Sequence, residues 1–252
     1  IRGAALGTGF GYLLPAVVGL LYFAECKGPL AFTRPKWKWR VLEESCLNGS
    51  SEMVGQLAAA VTTFLFNTAM MELAGEEGVA AITIIIYTQF LLNTLCIGFS
   101  MGVAPVIGFA YGKKDTARQR RVFRITMGAI GGGSVLLFVL SRLGGAYIVG
   151  LFARHSPEVS RIAEEGFSIF SYSFLFCGVN IFTSAMFTAL SNGKISAVLS
   201  FLRTFVLLSG EILLLPRLWG MTGLWLAVPV AEGIMFVVSA VCLLYNKKKY
   251  GY

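Results

Sequence analysis

Four charged side chains lie within long apolar stretches of this sequence: Glu52, Glu211, Glu232 and Arg203. A carboxylate held away from bulk water can exchange a proton or ligate sodium, and burying its charge costs a few kcal/mol unless it is paired or faces water. Glu52 falls in the first turn of its segment, where the helix N-terminus stabilises an acid by about 0.3–1 kcal/mol. Glu211 comes five residues before Pro216 and reads as reaching the membrane interface. Glu232 stands about ten residues into the last apolar segment, roughly 15 Å along a helix at 1.5 Å per residue. That is near the middle of a bilayer. Arg203, one segment earlier and about as deep from the opposite side, is its expected partner. Two readings of the pair stand: an Arg–Glu contact that fixes helix packing, or a carboxylate that exchanges a coupling ion.

Uncharged polar residues form a second set: Gln56, Thr62, Thr63 and Asn67; Tyr87, Gln89 and Asn93; Asn180, Thr183 and Ser184. In lipid such groups face other helices or a water-filled cavity. Cysteines 26, 46, 96, 177 and 242 lack metal-ligand or secreted-framework spacing and read as small apolar residues with reduced thiols. Within the spans there is no Ser/His dyad, His-Glu-x-x-His motif or aspartate pair, and His155 is alone in a loop. The residues therefore give no reason to expect an enzyme, a cofactor or a metal.

The elements that carry these groups follow from composition. Only 13% of the 252 residues are charged and 56% are hydrophobic, against about 25% charged in a soluble domain, and the mean hydropathy is +0.73. Val79–Gly112 and Gly166–Gly193 contain no Lys, Arg, Asp or Glu. A hydrocarbon core of about 30 Å needs roughly 20 helical residues. Long runs without two-residue alternation exclude a barrel, so the spans are helices. Seven are expected, at 3–24, 50–74, 79–111, 124–151, 166–190, 195–216 and 221–245. The net charge of +8 does not point to nucleic acid, because the basic residues sit in short loops. The lipid bilayer is the expected partner.

Alternate loops hold 15 of the 21 Lys and Arg residues: five between Lys27 and Arg40, six between Lys113 and Arg124, Lys194, and Lys247–Lys249. The opposite side has five, Arg2, Arg142, Arg154, Arg161 and Arg217. The richer side should be cytoplasmic. The C-terminus is then inside and the protein a multi-pass one of the cell (inner) membrane. Glu25–Gly49, with Pro29, Pro35 and the Lys36-Trp37-Lys38-Trp39-Arg40 run, reads as a membrane-surface linker. Gly75-Glu76-Glu77-Gly78, Ser191-Asn192-Gly193 and the surroundings of Gly220 read as tight turns. Glycines 3, 7 and 11, and Gly128 with Gly132, read as close-packing helix faces. Pro15, Pro105 and Pro229 are candidate kinks. Ile1 is already apolar, and a chain truncated at its N-terminus is expected.

GFSMGVAPVIGFAYGKKDTARQRR (98–121) resembles a helix and the following basic cytoplasmic loop of the multidrug and toxic compound extrusion (MATE) family. FTALSNGKISAVLSFLRTF (187–205) and LLLPRLWGMTGLWLAVPVAE (213–232) resemble that family's C-terminal lobe, and NGSSEMVGQLAAAVTTFLFN (48–67) its bacterial multidrug-efflux branch. The resemblance implies an all-α membrane protein of seven transmembrane helices, the last six forming one lobe of a two-lobe (6+6) transporter. It divides the chain into 1–24, the last helix of an otherwise missing N-terminal lobe; 25–48, a cytoplasmic inter-lobe linker; 49–246, the C-terminal six-helix lobe; and 247–252, a basic cytoplasmic tail.

The function implied is secondary antiport, exporting amphipathic or cationic organic compounds in exchange for H+ or Na+. No other cofactor is implied, and the missing lobe would be a partner on the same polypeptide. Glu232, Arg203, Glu52 and Asn180 are then the cation-coupling candidates, and Gln56, Asn67, Gln89, Asn93 and Asn180 the substrate-cavity candidates. One departure is visible: some sodium-coupled members resemble this chain in the fifth segment but carry an Asp where Asn180 stands, and an amide cannot exchange a proton. A flippase for lipid-linked precursors, from the same superfamily, and a seven-helix receptor are the alternatives. The last segment has no Lys to form a retinal Schiff base.

Overall fold

The computed structural model describes residues 2–24, 37–153 and 156–252. They form two units, 1–43 and 44–252. In the first, α1 (Arg2–Ala24) is a single apolar helix containing Pro15. A Cβ placed at Gly3, Gly7 or Gly11 would meet nothing within 4 Å among the described residues. Trp37 and Trp39 are both exposed and meet edge to face at 5.1 Å, a pair suited to a membrane interface. The rest of the expected linker, 25–36, lies outside the described residues, as do Arg154 and His155 and the side chain of Glu52.

The second unit is a helical bundle. Helix α2 (Trp39–Gly112) starts eleven residues before the sequence led us to expect, and is broken at Gly75 (φ 61°, ψ −152°). That backbone state is open to glycine at little cost. Phe66 and Met70 before the break share a buried cluster with Ala81, Ile82 and Ile85 after it, as an antiparallel hairpin requires. Next come α3 (Thr116–Phe152), capped by Asp115, and α4 (Pro157–Phe170), capped by Ser156 with proline in its first turn. A short 3₁₀ turn (Ser171–Ser173) joins α4 to α5 (Phe174–Ala189). Helix α6 (Gly193–Phe201) runs through a π-helical stretch, Leu202–Leu208, into α7 (Ser209–Tyr250). Helix α7 is itself broken at Trp219 and Gly220, the latter with φ 55°. The breaks at Gly75 and Gly220 resolve the long helices into rods that match the expected spans.

Two apolar clusters form the core, one around Phe167, Phe170, Phe174 and Trp225, the other around Phe182, Phe187, Met235 and Tyr250. Many large apolar side chains remain on the outside, among them Phe64, Leu91, Leu143 and Val237. In a bilayer that surface faces lipid rather than water. The Gly128/Gly132 face departs from expectation: a Cβ at either would meet nothing within 4 Å. Small residues permit close approach but do not supply a partner, and this face has none among the described residues.

The C-terminus folds back and ties one end of the bundle together. Arg120 Nε donates to the Gly251 carbonyl at 3.1 Å, and Asn192 Nδ2 donates to the Tyr250 hydroxyl oxygen at 2.7 Å. Tyr252 Oη donates to the Leu243 carbonyl at 2.9 Å, and its ring meets Phe123 at 4.7 Å. The expected 113–124 loop shrinks to a turn at 113–115, because α3 begins at Thr116; this turn with the start of α3, the 191–193 turn and the 247–252 tail are therefore at the same end.

Candidate functional site

Glu232 lies midway along the rod that follows Gly220, three residues beyond Pro229, and is 5% exposed. Its partners come from two other elements. Arg203 belongs to the π-helical stretch, a wider turn found often at functional sites. Arg203 Nε and Nη2 donate to Glu232 Oε1 at 2.9 and 2.5 Å. Asn180, in α5 and 2% exposed, donates through Nδ2 to Glu232 Oε2 at 2.7 Å and to the Glu232 carbonyl at 3.0 Å. Both carboxylate oxygens are thus engaged by donors, as burying an ionised acid in a low-dielectric interior demands. Asn180 Oδ1 is buried with no hydrogen-bond partner.

The polar seam continues one turn back along α5. Cys177 Sγ donates to Asn93 Oδ1 at 3.3 Å, and Cys96, three residues beyond Asn93 on the same face of α2, is buried. Gly178 makes room for this: a Cβ there would fall 2.5 Å from Ser134 Oγ and 3.4 Å from Cys96 Sγ. Asn93, Cys96, Cys177, Asn180, Glu232 and Arg203 therefore connect three helices and the π-helical stretch. A separate hydroxyl cluster joins α5 to α6, with Ser184 Oγ 2.9 Å from Ser196 Oγ and 3.0 Å from Ser200 Oγ.

Of the coupling candidates, Glu232, Arg203 and Asn180 come together, while Glu52 lies thirteen residues beyond the start of α2 rather than in its first turn as expected, and its side chain is outside the described residues. Of the cavity candidates, Asn180 is inside the bundle, bound to Glu232. Asn93 reaches the seam through Cys177. Gln89 is half-buried and Gln56 exposed. Asn67 is half-buried with Oδ1 unpartnered. Thr62, Thr63 and Thr183 turn back to carbonyls of their own helices, the ordinary use of a hydroxyl in a membrane span. Glu211 is half-buried with Oε2 unpartnered.

Sequence reasoning missed Cys96 and Cys177 as members of the site. The signal was present: Asn93 with Cys96, and Cys177 with Asn180, are each three residues apart and so share a helix face. The π-helical stretch left no mark in the sequence that we recognise.

The MatE family model matches residues 53–209, which include Asn180 and Arg203 but stop short of Glu232. Solved structures share the fold. One described as the outward-facing conformation of a multidrug resistance MATE family transporter of the MOP superfamily is 20% identical, over 96% of this chain and 57% of that one, with a TM-score of 0.81. A MOP superfamily transporter from Pyrococcus furiosus, described as having a binding pocket of reverse polarity that suggests a different function, is 19% identical over 97% and 56%, with a TM-score of 0.83. The Vibrio cholerae MATE transporter VcmN in its bent form is 19% identical over 98% and 55%, with a TM-score of 0.76. The chain thus spans a little over half the length of these structures. No curated protein matches it.

Proposed function

The chain belongs to the MatE family of membrane transporters, and from that premise we propose that it is the C-terminal lobe, with the preceding helix, of a secondary active antiporter that exports amphipathic or cationic organic compounds in exchange for H+ or Na+. The observation that carries this reading is the ionic site deep in the bundle, where Glu232 is held by Arg203 and Asn180. Charge at that depth is costly and marks ion pathways. In the structure the Glu232 carboxyl group faces the Arg203 guanidinium. A coupling ion that took over the carboxylate would release the guanidinium. A two-state element that both the coupling ion and the solute can bias would follow.

The substrate cavity is proposed to lie between this lobe and its N-terminal counterpart, near the midplane, with Gln56, Asn67, Gln89 and Asn93 on its wall. The basic end of the bundle is assigned to the cytoplasm of a cell (inner) membrane protein. A lipid-linked pyrophosphate would call for an uncommitted cation in the cavity. Arg203 is committed to Glu232, which supports the drug reading over a flippase. Ethidium efflux from cells expressing the full-length protein tests the proposal. Wild type should extrude the dye and stop when the ion gradient is collapsed, and gradient-independent movement would count against antiport.

A further inference from the structure

At the end of the bundle where the tail folds back, α6 and the last third of α7 enclose a groove of about 560 Å³. Its walls are apolar: Ile195, Val198 and Leu199 from α6, Val237, Val241 and Tyr245 from α7. Val198, Val237 and Val241 are more than half exposed, so the groove opens outward from the bundle. From Asn246 at its mouth to Val237 is nine residues, roughly 14 Å at 1.5 Å per residue. The depth suits a hydrocarbon chain lying along the helices.

The mouth has the opposite character. Lys194 lines it, Lys248 stands three residues beyond Tyr245 and seven beyond Val241 and so shares their face of α7, and among the described residues neither lysine has an ion pair. Residues 113–124, the turn before α3 and its first turns, carry six more basic residues at the same end, outside the lining of the groove, and Asp115, the acid there, is used to cap α3. Tyr245 is 86% exposed beside the mouth, where an amphipathic ring marks the membrane–water boundary. An apolar slot under an uncompensated cationic rim matches an acyl chain beneath an anionic head.

We propose that this groove is a binding site for one anionic phospholipid of the leaflet at the basic end, with an acyl chain between α6 and α7 and the headgroup phosphate on Lys194 and Lys248. The proposal is independent of which solute or coupling ion the transporter uses. A second copy of the chain is a poorer occupant, because a twofold contact there would set two cationic rims against each other.

Native mass spectrometry of the full-length protein, released from nanodiscs of equal parts phosphatidylcholine and phosphatidylglycerol, gives the test. Wild type should retain phosphatidylglycerol in preference. Lys194→Gln with Lys248→Gln should lower that preference by about fivefold for each lysine removed, whereas Lys114→Gln with Arg121→Gln, outside the lining of the groove, should leave it unchanged. Val241→Trp, an exposed position whose larger ring fills the slot, should abolish retention while the protein stays folded. Equal retention of both lipids would overturn the proposal, as would an equal loss in the control pair or no effect of Val241→Trp. Dissociation of a dimer by Val241→Trp would reassign the groove to contact between copies.

Discussion

Replacing Glu232 by Gln keeps the shape of the side chain and removes its charge, and the site geometry gives the cost. Arg203 donates twice to Oε1 and Asn180 once to Oε2. A glutamine has one acceptor oxygen, so either the guanidinium or the Asn180 amide must face an NH2 group. Removing one member of a buried ion pair costs about 3–5 kcal/mol. The Arg203 side chain retains 23% exposure, leaving it room to turn towards water, so the low end of that range, about 3 kcal/mol, is expected. At about 2–4 °C per kcal/mol for a unit of this size, the melting temperature should fall by about 6–12 °C. Adding Arg203→Met removes the stranded cation and fills its place with an apolar chain. Asn180 can then donate to the Gln oxygen. The double variant should return to within about 1 kcal/mol of wild type, because replacing a buried pair costs less than breaking it. Thermal unfolding of the three variants in detergent, followed by size-exclusion fluorescence, reads all of this. Wild-type stability in Glu232→Gln alone, or no recovery in the double variant, would refute the pairing.

Three further outcomes are expected. Single cysteines at 76 and 115 on a cysteine-free background should label oppositely with an impermeant maleimide, 76 from outside and 115 only after permeabilisation; the reverse would invert the topology. Residues 1–252 expressed alone in an efflux-deficient bacterium should confer no ethidium resistance, since the proposed cavity needs two facing lobes, and resistance would show that one lobe suffices. Asn180→Leu removes a hydrogen bond to a charged group, worth about 1.5–3 kcal/mol, and should lower the melting temperature without exposing the cavity. An unchanged melting temperature would mean that Glu232 does not depend on the amide.

The spans were legible in the sequence because apolar length is a strong signal, and so were the turns at Gly75 and Gly220, where the backbone takes a positive φ that glycine accommodates. The pairing of Arg203 with Glu232 was legible too: in lipid, two opposite charges at similar depth on consecutive spans have few other partners. What could not be read is how each helix is rotated. A span that touches lipid on one face and apolar neighbours on the other has no polar stripe to reveal which side points inward. Asn180 and Asn93 were therefore recognised as polar positions without their contacts, and Cys96 and Cys177 passed for filler. The same gap made Gly128 and Gly132 read as a packing face that the described residues leave open. The early start of α2 at Trp39 was hidden because the Lys-Trp repeat signals an interface rather than a secondary structure.

The central claim, that the Glu232 charge is used in coupling and not only in packing, is tested most directly by gradient-driven ethidium efflux in everted vesicles containing the full-length Arg203→Met, Glu232→Gln double variant. Its folding is expected to be restored, so a loss of transport cannot be laid to instability. The account predicts that the variant still binds ethidium but moves none of it in response to an imposed proton or sodium gradient. Efflux equal to wild type across the pH range would contradict it and leave the pair as a packing device.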